Sequence, residues 1–207
     1  NYDLIHIHGI GYFTLPIIEA CKKKNIKYIV TLHGLNSFSA SINLPPREKQ
    51  IEKEFLRYAE DNKLLVTVVS SGVKTTILNY LKIEHSLNFI VVPNGCHINS
   101  QNVFLSLNIR ELYVISNEKK IMLCVGRIDN NKNQVQIVRS FLKLTNDIKE
   151  NLVVLFVGTE GSNNASLEAK NSDFTSQLIF CGFIPKENLS AYYQQSDFNI
   201  VASITEG

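Results

Sequence analysis

The sequence has no long apolar run and no marked excess of either charge. No stretch approaches the roughly 18 to 20 apolar residues that a membrane-spanning helix needs, and residues 1–3 lack the basic and apolar regions of a signal peptide. The net charge is +2 at pH 7, from 21 Lys and Arg against 19 Asp and Glu, which gives no electrostatic case for binding nucleic acid. These absences favour a packed protein of the cytosolic type.

Closely spaced cysteines are also missing. The cysteines are Cys21, Cys96, Cys124 and Cys181, scattered along the chain, and two of them lie inside apolar runs. This spacing fits neither a disulfide framework nor a zinc site. The pattern predicts buried, reduced thiols.

Several nucleotide and hydrolase motifs are absent as well. The sequence has no glycine-rich phosphate loop ending in Lys-Ser or Lys-Thr, and no Gly-x-Gly-x-x-Gly follows a predicted strand. It also lacks the Gly-x-Ser-x-Gly elbow of serine hydrolases. These absences weigh against a P-loop NTPase, a simple dehydrogenase and a serine hydrolase.

Short apolar runs alternate with longer segments of helical period, which predicts an α/β fold with parallel sheets. The predicted strands are 4–8, 28–32, 65–69, 89–92, 121–125, 153–157, 178–181 and 198–202. The predicted helices are 11–24, 47–63, one begun by Ser70 and Ser71, 133–145, one near Ala165 and 186–195. Runs such as 152–157 are apolar throughout, as expected for strands covered on both faces.

An Asn- and Ser-rich stretch of weak periodicity, about 96–119, separates two series of this alternation. We read it as a crossover between two domains, 1–97 and 98–207. The chain has no initiator Met and stops directly after a predicted strand. We therefore expect an internal portion of a longer protein in which both domains are incomplete.

The first candidate site follows the predicted strand 121–125. Gly126, Arg127 and Lys132 lie in one short loop that leads into a helix. Arg offers a planar fork for two phosphate oxygens, Lys adds a compact charge, and a helix N-terminus supplies backbone donors. This set suits a diphosphate, although a solvated loop would have the same composition.

A second candidate site consists of histidines at the ends of two adjacent strands. His8 and His33 occupy corresponding positions, and His6 alternates with His8 on one strand face. A neutral imidazole can bind a hydroxyl, and a protonated one can support phosphate charge. His6 is equally well a packing residue, and the spacing does not indicate zinc.

Two further glycine loops and the end of the chain follow strands. Gly158 comes after 153–157, and Gly182 with Phe183 comes after 178–181. Each glycine either permits close approach of a ligand or makes a tight turn. Glu206, followed by Gly207, either binds sugar hydroxyls or caps a helix.

Together these motifs carry a family resemblance. They are, in chain order, Asp3-Leu4-Ile5-His6-Ile7-His8, Thr31-Leu32-His33-Gly34, Val69-Ser70-Ser71, Val92-Pro93-Asn94-Gly95, Val125-Gly126-Arg127 with Lys132, Phe156-Val157-Gly158, Phe180-Cys181-Gly182 and Ser203 to Gly207. In order and spacing they resemble the group 1 (family 4 type) retaining glycosyltransferases, whose GT-B fold has two facing Rossmann-like domains. The resemblance covers nearly the whole chain.

The resemblance implies roles for particular residues. It implies that Arg127 and Lys132 bind the donor diphosphate, and that His33 and Glu206 contact the donor sugar, so these four side chains are the implied catalytic set. The remaining donor-side positions are Gly126, Gly158, Gly182, Phe183 and Gly207. On the acceptor side the resemblance implies His8 and Gly9.

The resemblance also implies an activity. The expected reaction is retaining transfer of a hexosyl unit from a nucleoside-diphosphate sugar to a hydroxyl of a glycan, a lipid-linked sugar or a small acceptor. No metal or other cofactor is expected. The resemblance implies a cytoplasmic enzyme and is compatible with peripheral association at the inner face of the membrane. A non-catalytic glycosyltransferase-like subunit and a nucleotide-sugar epimerase of the same architecture remain alternatives.

Overall fold

The computed structural model describes residues 2–38, 44–95, 107–161 and 163–204. The chain divides into two compact units, one containing the described residues before 96 and the other those from 107 onward. Each unit has its own parallel sheet. The α/β class with two Rossmann-like parallel sheets, predicted from the sequence, is thereby confirmed.

The first unit contains a parallel sheet whose strands follow one another in chain order. Its strands are β1 (Leu4–His8), β2 (Lys27–Leu32), β3 (Val66–Val68) and β4 (Phe89–Val91). Its helices are α1 (Thr14–Lys23), α2 (Pro46–Asp61) and α3 (Ser71–Leu81), and a 3-10 turn covers Asn36–Phe38.

Helices of the first unit pack on one face of its sheet. Because each parallel strand lies beside its predecessor, right-handed crossovers carry the connecting helices to the same side. Ile18, Phe55 and Ile77, one from each helix, are fully buried in the resulting core. On the other face, Leu4 and Ile90 are exposed, and the histidines of β1 share that face.

Ser70 starts α3 as the sequence predicts. It has an extended backbone, and its hydroxyl oxygen accepts a hydrogen bond from the Val73 amide at 3.2 Å. This satisfies one of the amides that a helix N-terminus leaves without an intrahelical partner. The predicted helix 11–24 starts later than expected, at Thr14, because Gly9 to Phe13 form the loop that leaves β1.

The second unit contains a parallel sheet in the order β7-β6-β5-β8. Its strands are β5 (Lys120–Val125), β6 (Leu152–Val157), β7 (Leu178–Gly182) and β8 (Phe198–Asn199). Its helices are α4 (Ile109–Leu112), α5 (Gln134–Leu142), α6 (Asn146–Asn151), α7 (Ala165–Lys170) and α8 (Lys186–Gln195).

The strand order of the second unit places helices on both faces. From β5 the chain moves to β6 and β7, then returns to β8 on the other side of β5. One core contains Val154 and Phe156 with residues of α5 and α7, and the other contains Leu155 with Tyr192 of α8. The alternate residues of β6 therefore enter opposite cores, which explains its unbroken apolar run.

Three predicted elements of the second unit differ from the structure. The predicted helix 133–145 is α5, which ends at Leu142 because the chain turns at Lys143; the short helix α6, which starts after an extended Thr145, was not predicted. The last strand is shorter than predicted, since after Asn199 the chain leaves the sheet toward the loop that follows β5. The predicted crossover contains α4, which the Asn108 side chain caps.

Within the described chain, the cysteines are free thiols. Cys21 and Cys124 are buried, and Cys181 is half-buried. Cys96 lies outside the described residues. Among the helices of the described residues, none combines the length and the apolar character needed to cross a membrane.

Replacing Leu155 by Ala tests the core of the second unit. Leu155 is fully buried in the central strand β6, so truncation should cost about 2–5 kcal/mol of unfolding free energy through lost burial and a cavity. The matched control is Leu167→Ala, at a side chain that is 55% exposed, which should cost less than about 0.5 kcal/mol. Urea denaturation, monitored by circular dichroism, measures the free energy of unfolding of both variants. Equal losses would contradict the placement of Leu155 in the core.

Candidate functional site

The carboxyl end of β5 lies at the point where the strand order of the second sheet reverses. β6 lies on one side of β5 and β8 on the other, and the intervening helices pack on opposite faces. In open α/β sheets, ligands bind in the crevice outside the strand ends at such a reversal. The loop containing Arg127 and Lys132 follows β5 directly at this point.

Glycines at the ends of three neighbouring strands meet at this edge. The Gly126 amide donates to the Val157 carbonyl at 2.8 Å, and the Gly158 amide donates to the Gly182 carbonyl at 2.8 Å. Gly158 has φ +152°, and a Cβ there would overlap the carbonyl oxygen of Gly126. Only glycine fits at position 158, which lets the loops after β5 and β6 lie in direct contact.

Asp129 organises the loop after β5. Its Oδ2 accepts a hydrogen bond from Arg127 Nε at 2.6 Å, and its Oδ1 accepts one from the Lys132 amide at 2.9 Å. Asp129 is only 7% exposed, whereas the Arg127 side chain is 73% exposed. The buried carboxylate therefore fixes the base of the guanidinium group while its terminal nitrogens remain accessible to solvent.

Two side-chain amides, of Gln134 and Asn163, hold Asp129 in turn. Gln134, fully buried at the start of α5, donates from Nε2 to the Arg127 carbonyl at 2.9 Å and accepts from the Asp129 amide at 3.3 Å. Asn163 donates to the Asp129 carbonyl at 2.8 Å. The sequence analysis missed both amides; for Gln134 the signal was a polar residue on the inward face of an otherwise apolar helix.

The electrostatics of this loop favour an ionised Asp129. Burial alone would raise the pKa of Asp129, but the hydrogen bond from the Lys132 amide and the Arg127 guanidinium outweigh burial and hold the pKa below its usual range. Burial raises the pKa of the Cys124 thiol to about 11, with the charge of Lys132 acting in the opposite direction. Cys124 is thus a neutral thiol beneath the loop.

The segment after β8 joins the same loop. The Ile204 amide donates to the Asn131 carbonyl at 2.8 Å, and Asn133 Nδ2 donates to the Ala202 carbonyl at 3.3 Å. Between these bonds lies Ser203, whose buried hydroxyl oxygen has no hydrogen-bond partner within the described chain. Phe183, after β7, is 71% exposed. The predicted positions Glu206 and Gly207 lie outside the described residues.

Histidines and a glycine form the corresponding edge of the first unit. His8 Nδ1 lies 2.9 Å from His33 Nε2, and the two rings are stacked with centroids 5.2 Å apart. Gly9 turns the chain after β1 with φ +77° and donates to the Thr31 carbonyl at 2.8 Å. The structure thus brings together His8 and His33, which the sequence places 25 residues apart.

His6 belongs to the same face but not to the core. It is exposed, its Nε2 lies 2.7 Å from Thr31 Oγ1, and its ring centroid lies 4.0 Å from that of His8. Thr31 Oγ1 lies 2.5 Å from Thr67 Oγ1. The contact with the His8 ring agrees with the interpretation of His6 as a packing residue.

Glu52 on α2 fixes the loop that follows His33. Its carboxylate accepts from the Asn36 amide at 3.2 Å and from the Ser37 amide at 2.7 Å, and the Ser37 hydroxyl also donates to it. Burial raises the pKa of Glu52, and the backbone hydrogen bonds from Ser37 and Asn36 act against that rise. The sequence analysis did not select Glu52.

No metal centre is evident in the chain as described. Within residues 2–38, 44–95, 107–161 and 163–204, no group of at least three His, Cys, Asp or Glu side chains is arranged to hold a metal ion. The His6, His8 and His33 rings bond to one another and to a threonine instead.

Comparison with solved structures defines the class of fold. A crystal structure of a glycosyltransferase from Rickettsia africae matches with a TM-score of 0.70 at 22% identity, over 98% of this chain and 52% of that one. The HepE protein of Anabaena, solved in complex with UDP, matches with a TM-score of 0.66 at 18% identity, over 98% of this chain and 53% of that one. The chain has the GT-B fold.

Comparison with sequence families identifies the family of the chain. Residues 1–100 match the family described as Glycosyltransferase Family 4, and residues 107–207 match Glycosyl transferases group 1. The two matches together account for nearly the whole chain, which belongs to the group 1, family 4 glycosyltransferases. The resemblance predicted from the motifs is thereby confirmed, while the roles of individual residues stay predictions.

A curated relative comes from Campylobacter jejuni. It is named N-acetylgalactosamine-N,N'-diacetylbacillosaminyl-diphospho-undecaprenol 4-alpha-N-acetylgalactosaminyltransferase and is 29% identical over 208 residues. The match covers 100% of this chain and 50% of the relative. The chain thus spans about half the length of this relative.

Replacing Asp129 by Asn removes the carboxylate that fixes Arg127. We expect the free energy of unfolding to fall by about 1–3 kcal/mol at pH 7, because buried hydrogen bonds to a charged group are lost. Because the folded-state pKa lies below the unfolded value of about 3.9, the stabilisation is complete above that value and disappears as pH falls through the folded-state pKa. Urea denaturation at pH 7 and pH 3 measures this dependence.

The matched control for this change is Asp173→Asn, at an exposed carboxylate of the same unit. D129N should lose stability at pH 7 and show a smaller difference between the two pH values than the unmodified protein. D173N should behave like the unmodified protein. Equal pH dependence in D129N and the unmodified protein would contradict the role given to Asp129.

Gly158→Ala tests the contact between the loops after β5 and β6. An added Cβ would collide with the backbone carbonyl of Gly126, which cannot move aside easily. We therefore expect the free energy of unfolding to fall by about 1–3 kcal/mol. Gly72→Ala is the control, because the Cβ there would lie 3.6 Å from Ser70 Oγ, an ordinary contact. Thermal unfolding of both variants, monitored by circular dichroism, should show a lower midpoint for G158A only.

Proposed function

We propose that the protein is a retaining hexosyltransferase. In the proposed reaction it transfers a hexosyl unit from a nucleoside-diphosphate sugar to a hydroxyl group of a lipid-linked glycan. The diphosphate of the donor binds at the loop after β5, through Arg127 and Lys132. The proposal assigns the protein to glycan assembly.

The arrangement of Asp129 and Arg127 is the observation that carries this proposal. Asp129 engages Nε of Arg127, so the terminal guanidinium nitrogens can donate to an external anion. The loop also carries Lys132, and the bond from its amide to Asp129 ties it to the same carboxylate. A loop with two cations at the strand-order reversal suits a ligand with two linked phosphates.

The relatives support the choice of donor and acceptor. The HepE structure contains UDP, so a uridine diphosphate donor is the first to test here. The name of the Campylobacter jejuni relative describes transfer of N-acetylgalactosamine to a sugar carried on diphospho-undecaprenol. A sugar linked through a diphosphate to a polyprenyl lipid is accordingly the acceptor class that we propose.

The chemistry assigned to the site is charge stabilisation. In the proposed step the bond between sugar C1 and the diphosphate oxygen breaks, and the acceptor hydroxyl oxygen bonds to C1 on the same face. The hydroxyl proton passes to an oxygen of the departing diphosphate, whose negative charge Arg127 and Lys132 stabilise without a metal ion. We further assign contacts with the transferred sugar to His33 and Glu206, and contacts with the acceptor to His8 and Gly9.

A lipid-linked acceptor would bring the protein to a membrane surface. We propose a cytoplasmic protein that meets its acceptor peripherally at the inner face of the membrane. Sedimentation with vesicles that contain a polyprenyl-diphosphate sugar, compared with vesicles that lack it, tests this part of the proposal. Equal sedimentation with both would argue against it.

Arg127→Ala should weaken binding of the preferred nucleoside diphosphate by about tenfold to a hundredfold, because a charged hydrogen bond contributes about 1.5–3 kcal/mol. The measurement is calorimetric titration of the full-length protein with UDP, GDP and ADP. Arg139→Ala is the control: this exposed Arg on α5 pairs with Glu168 at 2.5 Å, and its loss removes the same charge. R139A should bind within about twofold of the unmodified protein.

Two results would contradict the proposal. Failure of the unmodified protein to bind any of the three diphosphates would favour a non-catalytic glycosyltransferase-like subunit. Equal weakening in R127A and R139A would show that net charge, not the loop after β5, controls binding. Consumption of a nucleotide sugar without any acceptor, with release of an isomeric nucleotide sugar, would instead indicate an epimerase.

A further inference from the structure

The hydrogen bond between His8 and His33 couples two imidazoles at the edge of the first sheet. The bond joins His8 Nδ1 to His33 Nε2 at 2.9 Å, and the rings are tilted by only 16°. β1 and β2 are in register with His8 opposite Thr31. The parallel sheet therefore determines how close the two rings lie.

Such a bond restricts where the protons lie. A neutral imidazole has one N–H donor and one acceptor nitrogen, so one of the two facing nitrogens carries a proton and the other does not. If His8 Nδ1 donates, His33 Nε2 accepts, and both rings carry their proton on Nδ1. If His33 Nε2 donates, both rings carry their proton on Nε2. In either case the neutral rings share one tautomer.

We propose that His8 is a positioning residue for His33. The bond to His8 occupies His33 Nε2, so Nδ1 is the nitrogen left to a ligand, and His8 determines whether Nδ1 donates or accepts. This inference rests on the proposed function, in which His33 contacts a hydroxyl of the transferred sugar. It gives His8 a role in orienting the catalytic side chain, in addition to the acceptor contact assigned to it under the proposed function.

The third histidine holds His8 in place. The ring of His6 lies against that of His8, with centroids 4.0 Å apart. Thr67 donates its hydroxyl proton to the Val30 carbonyl at 3.3 Å, so Thr31 donates to Thr67 at 2.5 Å. His6 Nε2 must then donate to Thr31 at 2.7 Å. His6 is thereby fixed by a chain of hydrogen bonds that ends on the backbone of β2.

Carboxylates and cations do not enter this cluster among the residues that the structure describes. The side-chain hydrogen bonds and ring contacts of His6, His8 and His33 are with one another and with Thr31. Orientation of His33 therefore depends on its bond to His8 and on the loop that Glu52 fixes. Of these two, the bond to His8 is the one that acts on the imidazole ring itself.

The test is nitrogen-15 NMR of the histidine side chains in the full-length protein, with correlations that distinguish the two tautomers. Three variants are compared. In His8→Asn the side-chain amide lies near the position of Nδ1 and can form a hydrogen bond with His33 Nε2. In His8→Leu the side chain has no group that can form this bond. His85→Asn removes an exposed histidine of the first unit, and the His85 signals in the other proteins provide a reference for a solvated ring.

We expect His8 and His33 to show the same single tautomer in the unmodified protein. In H8L the His33 signals should move toward those of His85, and in H8N they should keep a single tautomer. Opposite tautomers for His8 and His33, or unchanged His33 signals in H8L, would overturn the proposal. Circular dichroism of each variant verifies that the sheet remains folded.

Steady-state kinetics supply the second readout. We expect kcat for sugar transfer to fall about tenfold in H8L, as for loss of one hydrogen bond of about 1.4 kcal/mol, with KM for the donor nearly unchanged. H8N should retain kcat within about threefold, and H85N should match the unmodified protein. Equal losses in H8N and H8L would contradict a role through hydrogen bonding.

The two readouts separate this inference from the proposed function. NMR detects the histidine pair whether or not the protein transfers sugar. Absence of transfer and of diphosphate binding in the unmodified protein would overturn the proposed function, whereas the NMR result alone decides whether His8 controls the ring of His33.

Discussion

The carboxylate of Asp129 is the group on which the rest of the sheet edge at the end of β5 depends. It is buried, yet it is ionised because it accepts hydrogen bonds from Arg127 Nε and from the Lys132 amide. An unpaired buried carboxylate would be costly, so this charge and the loop conformation stabilise each other. The buried amide of Gln134 fastens the same loop to α5. The orientation of the Arg127 guanidinium and the backbone position of Lys132 are thus part of the folding of the second unit.

The sheets determine where this chemistry can occur. In the second unit the chain returns to β8, so the strand order reverses at β5. At the carboxyl ends of β5 and β6, Gly158 lies in direct contact with Gly126. In the first unit the strands follow in order, so the helices share one face, and the histidines of β1 are exposed on the other. The two units therefore present different edges: one has backbone contacts between glycines and a guanidinium held by Asp129, and the other has paired imidazoles.

Much of the fold could be predicted from the sequence, because strands buried on both faces leave unbroken apolar runs such as 152–157. Arg127, Lys132 and His33 could be selected as well, since each follows a strand end. Their supporting residues could not, because Gln134, Asn163 and Glu52 act through tertiary hydrogen bonds that local patterns do not encode. The early end of β8 escaped prediction for a similar reason: residues 200–202 are apolar, but hydrogen bonds to the loop after β5 draw the chain away.

The central claim is that the loop fixed by Asp129 binds the diphosphate of a nucleotide-sugar donor. The most direct measurement compares the affinities of the full-length protein for a nucleoside, its monophosphate and its diphosphate, in the unmodified protein and in Lys132→Ala. The account predicts that affinity rises with each phosphate in the unmodified protein, and that K132A loses most of the gain from the phosphates while its affinity for the nucleoside is unchanged. If the three ligands bound equally well, or if K132A weakened all three alike, the diphosphate site would lie elsewhere.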